Sequence, residues 1–336
     1  MLRVAEVPEP PLAEDHLLIE VKACGVCGTD LRIYKHGHHR VSTPRVLGHE
    51  LVGVIAKSSP SLEGFKVGDR VGIPPIMPCG ECPMCRRGVT NLCHRLEILG
   101  FHRDGGFARY VAIPASAAQR AGITHIPDEI GDVEATLAEP IGCVLNALEL
   151  ADVRAGDTVL VVGAGALGIV NAEVAKMLGA SRVIVAEESA ERLNVARTFS
   201  SIDELIDLSA EDLPGGTARV TGGEGADVIV VVRSSPRIQV DSLEALAPRG
   251  RVVLFGALPR GASHVTLDTN IIHYKEAAVV GATGCVPRQY RRALDLLARG
   301  TVKTDRLITH RFPLDQIQEA FDRKLSGEGL KMVIEP

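Results

Sequence analysis

Short apolar runs framed by turn residues set the rhythm of the N-terminal part of the chain. Leu17 to Val21 (LLIEV) follows Pro-rich turns and predicts a buried strand. The run LVGVIA after Glu50 predicts a second strand, and Val67-Gly-Asp-Arg-Val71 a turn into a third. Residues 107–116 (FARYVAIPAS) predict a fourth. Residues 132–151 read as a helix, with Pro140 inside it or at a break, and mark the crossing into a second domain. From there the pattern becomes an alternation. Thr158 to Val162 is an apolar strand, NAEVAKMLGA a helix, and Arg182 to Ala186 the next strand. A strand over Ala226 to Val232, a helix over Ile238 to Leu246 and a strand over Gly250 to Gly256 continue it. Strands and helices in alternation predict a parallel sheet. Near Tyr274 the chain is expected to return to the first domain. A strand over Ala277 to Gly281, an amphipathic helix over 287–299, a helix over Leu314 to Leu325 and a closing strand in LKMVIEP follow. The predicted division is 1–140 with 275–336 for one domain, and 141–274 for the other.

Composition narrows the function classes. The 336 residues suffice for two domains with a sizeable core. A net charge of −5 leaves no basic footprint, which argues against a nucleic-acid partner. No apolar run approaches the roughly 18 residues of a membrane span. The N-terminus, MLRVAEVPEPPLAEDH, lacks the charged-then-apolar pattern of a signal peptide. Eight cysteines without that signal point to a reducing, cytoplasmic setting and to metal ligation.

Four of the cysteines, Cys79, Cys82, Cys85 and Cys93, are spaced C-x2-C-x2-C-x7-C. Thiolates at this spacing can wrap one tetrahedral zinc ion, and four protein ligands close its shell, so the site is expected to be structural. An iron–sulfur cluster and a disulfide pair are the rival readings. In the second half, the strand ending at Val162 runs into Gly163-Ala-Gly165-Ala-Leu167-Gly168 and then a helix. With a strand before, a helix after and an acid, Glu187, at the end of the next strand, this G-x-G-x-x-G is a dinucleotide fingerprint. Glu187 can accept hydrogen bonds from both ribose hydroxyls and would repel a 2′-phosphate, which predicts NAD over NADP. Glu188 is the alternative if the register is off by one.

Together, Cys27-Gly-Thr29-Asp30, Gly48-His49-Glu50-x-x-Gly53, Val67-Gly-Asp-Arg-Val71 and the four-cysteine segment resemble the zinc-dependent medium-chain dehydrogenases. That family includes alcohol, sorbitol and L-threonine 3-dehydrogenases, and the likeness runs over nearly the whole chain. It implies an α/β fold: a GroES-like β-rich catalytic domain and a Rossmann, doubly wound NAD-binding domain. It also implies a catalytic zinc on Cys27, His49 and either Glu50 or Glu139. Thiolate and imidazole are ligand types that suit zinc, and a catalytic site keeps one position open. Liver-type alcohol dehydrogenases have a second cysteine where this chain has Glu139, which leans toward the polyol and amino-alcohol branch. Asp30 would orient the His49 ring, Thr29 would pass the substrate proton outward, and Tyr34 and His102 are substrate-pocket candidates. Leu167, Arg192 and Gly256 join the cofactor-binding set. Cys24 reads as a buried neighbour, and His36, His38 and His39 as a solvated loop near the substrate mouth. Relatives are dimers or tetramers, and a tetramer is expected here, an edge strand near 277–281 commonly extending a sheet between subunits.

Three features depart from the family. The chain begins later than its relatives, which carry an initial strand, so either that strand is absent or the start lies downstream of the usual one. Arg32 stands where many relatives have a histidine ending a proton relay, and arginine cannot accept a proton. Val232-Arg233-Ser234-Ser235 replaces a glycine-containing turn near the cofactor, where Arg233 would contact phosphates or crowd the ribose. The expected activity is reversible oxidation of a secondary alcohol: polyols, sugar alcohols or cyclitols first, then L-threonine, then simple primary alcohols. A non-catalytic zinc- and nucleotide-binding scaffold and a zinc-free alkene reductase are the competing readings.

Overall fold

The computed structural model describes residues 2–59, 62–259 and 261–336. Contacts divide the chain into two units, one running up to Gly142 with Cys285–Pro336, the other Cys143–Gly284. In the first unit, strands β1 (His16–Gly25), β2 (Glu50–Ser58), β3 (Arg70–Ile73), β4 (Ile76–Met77), β5 (Glu97–Ile98), β6 (Tyr110–Pro114) and β7 (Thr124–His125) come in order. The second unit holds β8 (Thr158–Val162), β9 (Arg182–Glu187), β10 (Glu204–Asp207), β11 (Ala226–Val231), β12 (Leu246–Leu254) and β13 (Ala278–Gly281). The chain then returns with β14 (Ile308–Pro313) and β15 (Lys331–Glu335).

The first unit is organised around β1, which pairs antiparallel with β2, β6 and β15. One face of this central strand is buried throughout and the other over part of its length, with Glu20 and Lys22 left partly exposed. Leu17, Leu18, Ile19, Val21 and Ala23 are accordingly buried. The larger sheet runs β14-β15-β1-β2-β3-β7 with β6 on β1, and β4 and β5 form a separate ribbon. Leu17, Ile19, Leu51, Ile55, Val111, Ile113 and Phe321 share one core cluster, each large side chain contributing about 1.5–3 kcal/mol through burial.

In the second unit six parallel strands lie in the order β10-β9-β8-β11-β12-β13. Counted from β8 as its first strand, this is the doubly wound dinucleotide order, with the direction of winding changing beside β8. The four residues Val159–Val162 are wholly buried, as a central parallel strand requires.

The return to the first unit falls after Gly284 rather than at residue 275. The cause is β13, which pairs in register with β12 from Ala278 opposite Arg251 to Gly281 opposite Leu254. The predicted helix over 132–151 is two helices, Asp132–Ala135 and Ala138–Leu150, with Pro140 near the start of the second, where its missing N–H is least costly. The strand predicted over 107–116 is shorter, because a helix, Ala115–Ala121, begins at its end.

Candidate metal and cofactor sites

Helix Gly28–His36 starts on the sulfur of Cys27. Its side chain accepts the Thr29 amide at 3.5 Å, while Asp30 Oδ2 accepts the Cys27 amide at 2.9 Å. This reciprocal cap satisfies amides that a helix start leaves unpaired. The other Asp30 oxygen, Oδ1, faces His49 Nδ1 at 3.2 Å and accepts from the Gly48 amide at 3.4 Å. Asp30 is fully buried and His49 nearly so. An Nδ1–H held by Asp30 leaves His49 Nε2 as the lone-pair donor, the arrangement in which ligating histidines are commonly held. Burial works against a charged His49 ring, but Asp30 and Cys27 outweigh it and raise its pKa well above the usual value. In the absence of metal this ring therefore carries a proton that an ion must displace.

Cys27, His49 and Glu50 offer ligand atoms that all lie within 4.8 Å of one another. They come from a helix cap, the residue before β2 and the first residue of β2. Glu139 is half-buried near the start of helix Ala138–Leu150 and is not a member of this group. Glu50 has another claimant. Its carboxylate is ion-paired to Lys331 Nζ on β15, with both side chains buried. Gly25 makes room for that pair, since a side chain there would collide with the Glu50 carboxylate and the end of Lys331. Burial disfavours the Lys331 ammonium, yet Glu50 and Cys27 more than offset this and hold its pKa above the ordinary lysine value. Lys324, half-buried nearby, is pulled down to about 8 by burial and by Lys331. Both lysines lie far along the chain from the motifs, and no local pattern marks them.

The four-cysteine segment closes on itself. Sulfur separations are 3.9 Å for Cys79–Cys85, 3.5 Å for Cys82–Cys85 and 3.9 Å for Cys82–Cys93. Corners of a tetrahedron with bonds of about 2.3 Å lie about 3.8 Å apart, so the set fits one zinc ion. None of the eight cysteines is joined in a disulfide, so none competes. An iron–sulfur cluster, with several irons, would hold its thiolates farther apart. Cys24 is buried beside β2, its thiol pushed up by desolvation, and takes no part in either group.

In the second unit the turn after β8 is held by the third glycine of the fingerprint. A side chain on Gly168 would collide with the Gly163 carbonyl, so the helix from Ala166 can approach the turn only with glycine there. Glu187, at the end of β9, is buried. Its carboxylate accepts from the amides of Ala164 (2.9 Å), Glu188 (2.8 Å) and Ser189 (3.1 Å), with Arg192 Nη1 at 3.9 Å. These amides fix it beside the glycine turn, where the fingerprint needs its acid. Arg233 is paired to Glu188 at 2.6 Å. Gly256 closes against the Val232 carbonyl with no room for a side chain. Leu167 lies in the first turn of helix Ala166–Met177. Of the substrate candidates, His102 Nδ1 accepts from the Ile98 amide at 3.1 Å. Tyr34 packs edge-on against Phe321, 5.7 Å between centroids, at the margin of the core.

Comparison with known proteins decides the family. Residues 13–127 match the alcohol dehydrogenase GroES-like domain, and residues 166–299 the zinc-binding dehydrogenase domain. The chain is 35% identical to the L-threonine 3-dehydrogenase of Pyrococcus furiosus, over 98% of this chain and 92% of that one. It belongs to the zinc-dependent medium-chain dehydrogenases. Among solved members of the family, galactitol-1-phosphate dehydrogenase from Escherichia coli superposes with a TM-score of 0.90 at 27% identity, covering 100% of this chain and 97% of that one. A protein from Sinorhizobium meliloti 1021, described as a zinc-binding dehydrogenase and bound to NADP, superposes at 0.89 with 31% identity, covering 98% and 94%. As a medium-chain dehydrogenase the protein is an oxidoreductase with zinc and a nicotinamide dinucleotide as cofactors. The donor sets fit them: thiolates at tetrahedral spacing, a mixed sulfur, nitrogen and oxygen group, and a glycine turn with an anchored acid. No helix among the described residues is long and apolar enough to cross a membrane.

Proposed function

We propose that the protein interconverts a secondary alcohol, a polyol, sugar alcohol or cyclitol, and its ketone, using NAD. The observation that carries this reading is the Cys27, His49 and Glu50 group with Asp30 behind the histidine. When bound there, zinc would supply Lewis-acid polarisation of the hydroxyl, and the nicotinamide would accept hydride. Cys27 and His49 hold the ion, Asp30 fixes the tautomer and angle of His49, and a carboxylate from Glu50 or Glu139 completes the protein's share of the shell. Thr29, half-buried two residues from Cys27, receives the hydroxyl proton. Arg32 cannot take it further, so the proton passes to water. Glu187 holds the ribose hydroxyls and supports NAD over NADP. The structural ion sits in the four-cysteine segment. A homo-oligomer, a tetramer or a dimer, is supported by the exposed edge of β13, and a cytoplasmic setting by eight cysteines of which none is joined in a disulfide.

L-threonine is the second substrate reading, favoured by 35% identity over nearly the full length of a threonine dehydrogenase. The test is NADH formation by zinc-loaded protein against polyols, cyclitols, threonine and simple alcohols, with NADP+ in parallel and Cys27→Ser as control. Ethanol oxidised far better than any polyol or threonine would overturn the substrate order. Equal use of NADP+ would overturn the role given to Glu187.

A further inference from the structure

One aromatic ring separates the metal-ligating histidine from a second group of polar side chains. Phe101 lies edge-on to His49, with centroids 5.7 Å apart, and edge-on to His38 at 5.4 Å. His38 in turn stacks on His39 at 4.4 Å. The charges that bear on His38 are those of His39, Arg40, Arg32 and His102; those on His102 are Arg40, Glu97, Arg45 and His39. These residues come from helix Gly28–His36, the loop after it, β5 and the segment that follows it, and they are near enough for their charges to act on one another.

The hydrogen bonds fix what this group can offer. His38 Nδ1 accepts from the Arg40 amide at 3.1 Å, and His102 Nδ1 accepts from the Ile98 amide at 3.1 Å. An imidazole accepting at Nδ1 carries its proton on Nε2, so each ring presents a donor. Burial and the neighbouring cations lower both pKa values, which keeps the rings in that form at neutral pH. Arg32 and Arg40 have no carboxylate partner among the described residues. Arg45 and Arg103 do, in Asp104 and Glu97, and Arg45 Nε is buried without a hydrogen-bond partner. The group thus has surplus positive charge and N–H donors, with few acceptors. Guanidinium and imidazole donors so arranged match the oxygens of an anion.

We propose that this group is the subsite for an anionic substituent, phosphate or carboxylate, on the alcohol substrate. The inference rests on the alcohol-oxidising reading above and names its substrate class: a secondary alcohol with a charged group a few bonds from the reacting carbon. A neutral polyol leaves the donors to water. An ammonium beside the carboxylate, as in threonine, would sit among like charges.

Two measurements test it. In the first, zinc-loaded enzyme is given sugar alcohols and their terminal phosphates, together with hydroxy acids and their amides. The expected result is a kcat/KM at least tenfold higher for the charged member of one pair, which also separates phosphate from carboxylate. Arg40→Gln and His38→Leu should each shrink that ratio by about tenfold, the value of one charge-assisted hydrogen bond. Equal use of charged and neutral members overturns the subsite while leaving the dehydrogenase reading intact. A preference that survives both substitutions places the anion elsewhere and overturns it as well. The second measurement needs no turnover. Inorganic phosphate is titrated calorimetrically into zinc-loaded protein saturated with NAD+, which occupies the dinucleotide's own phosphate contacts. Binding weakened about tenfold by Arg40→Gln supports the subsite even if no alcohol in the panel reacts. No binding, or binding unchanged by the substitution, overturns it.

Discussion

The two groups of side chains proposed to hold metal ions are built in opposite ways. The four-cysteine segment draws all its donors from fifteen consecutive residues, Cys79 to Cys93, and they face one another at 3.5–3.9 Å. Their partners are backbone amides and Arg95. The second group joins a helix cap to the start of β2, is oriented by a buried aspartate, and shares its glutamate with a lysine 281 residues away. One set is closed and chemically uniform. The other has mixed donors and a carboxylate with two possible partners, an arrangement that leaves room for a ligand to come and go. On the proposed function, the difference separates an ion that holds a loop from an ion that does chemistry, and it can be broken at several points.

The largest effect is expected from Cys27→Ser. Turnover should fall to background while zinc content drops from two ions per chain to one. Retention of both ions would mean that Cys27 is not a ligand. Next comes Lys331→Met. In metal-free protein it strands the buried Glu50 carboxylate, at a cost of about 3–5 kcal/mol, read as a lowered denaturation midpoint. An unchanged midpoint would remove the pair from the structural account. Zinc sharpens the comparison. If Glu50 ligates the ion, zinc should recover most of the loss. If Glu139 is the ligand, the deficit should persist in loaded enzyme, and Glu139→Gln rather than Glu50→Gln should then lower zinc affinity. Asp30→Asn is the smaller perturbation, with a loss of about 10- to 100-fold in zinc affinity or activity, since the ring can still be held but less firmly as the required tautomer.

Legibility in the sequence follows the same division. The cysteine spacing, the glycine fingerprint and the apolar runs of β1, β8, β9 and β11 are local patterns, and local patterns survive in one dimension. Glu187 was legible because the fingerprint ties it to the end of one strand. Lys331 was not, because only the pairing of β1 with both β2 and β15 brings it to Glu50. The return point was misplaced because β13 is a four-residue edge strand whose membership depends on its pairing with β12, not on composition. Likewise, His38 and His39 read as a solvated loop until Phe101, from a segment some sixty residues on, ties them to His49.

The smallest effect on chemistry should come from the four-cysteine segment, although its effect on zinc is large. Arg95 draws the Cys79 thiol down to about 6, whereas burial pushes Cys85 up to about 12. At neutral pH the metal-free segment thus still holds a proton on Cys85, and zinc must displace it. Protons and zinc compete, so affinity here should rise about tenfold per pH unit above pH 6 for each thiol still protonated, and fall on acidification. Competition with a chromophoric chelator across pH 6–9 reads that slope, and a flat profile would contradict the assignment of Cys85 as the protonated ligand. Cys85→Ser should release this ion at lower chelator concentration and lower the thermal midpoint. The rate per remaining folded molecule should stay near that of the parent, because none of the four sulfurs belongs to the Cys27 group. A rate collapse matching that of Cys27→Ser, in protein still folded and still holding one zinc, would erase the distinction between the two sites.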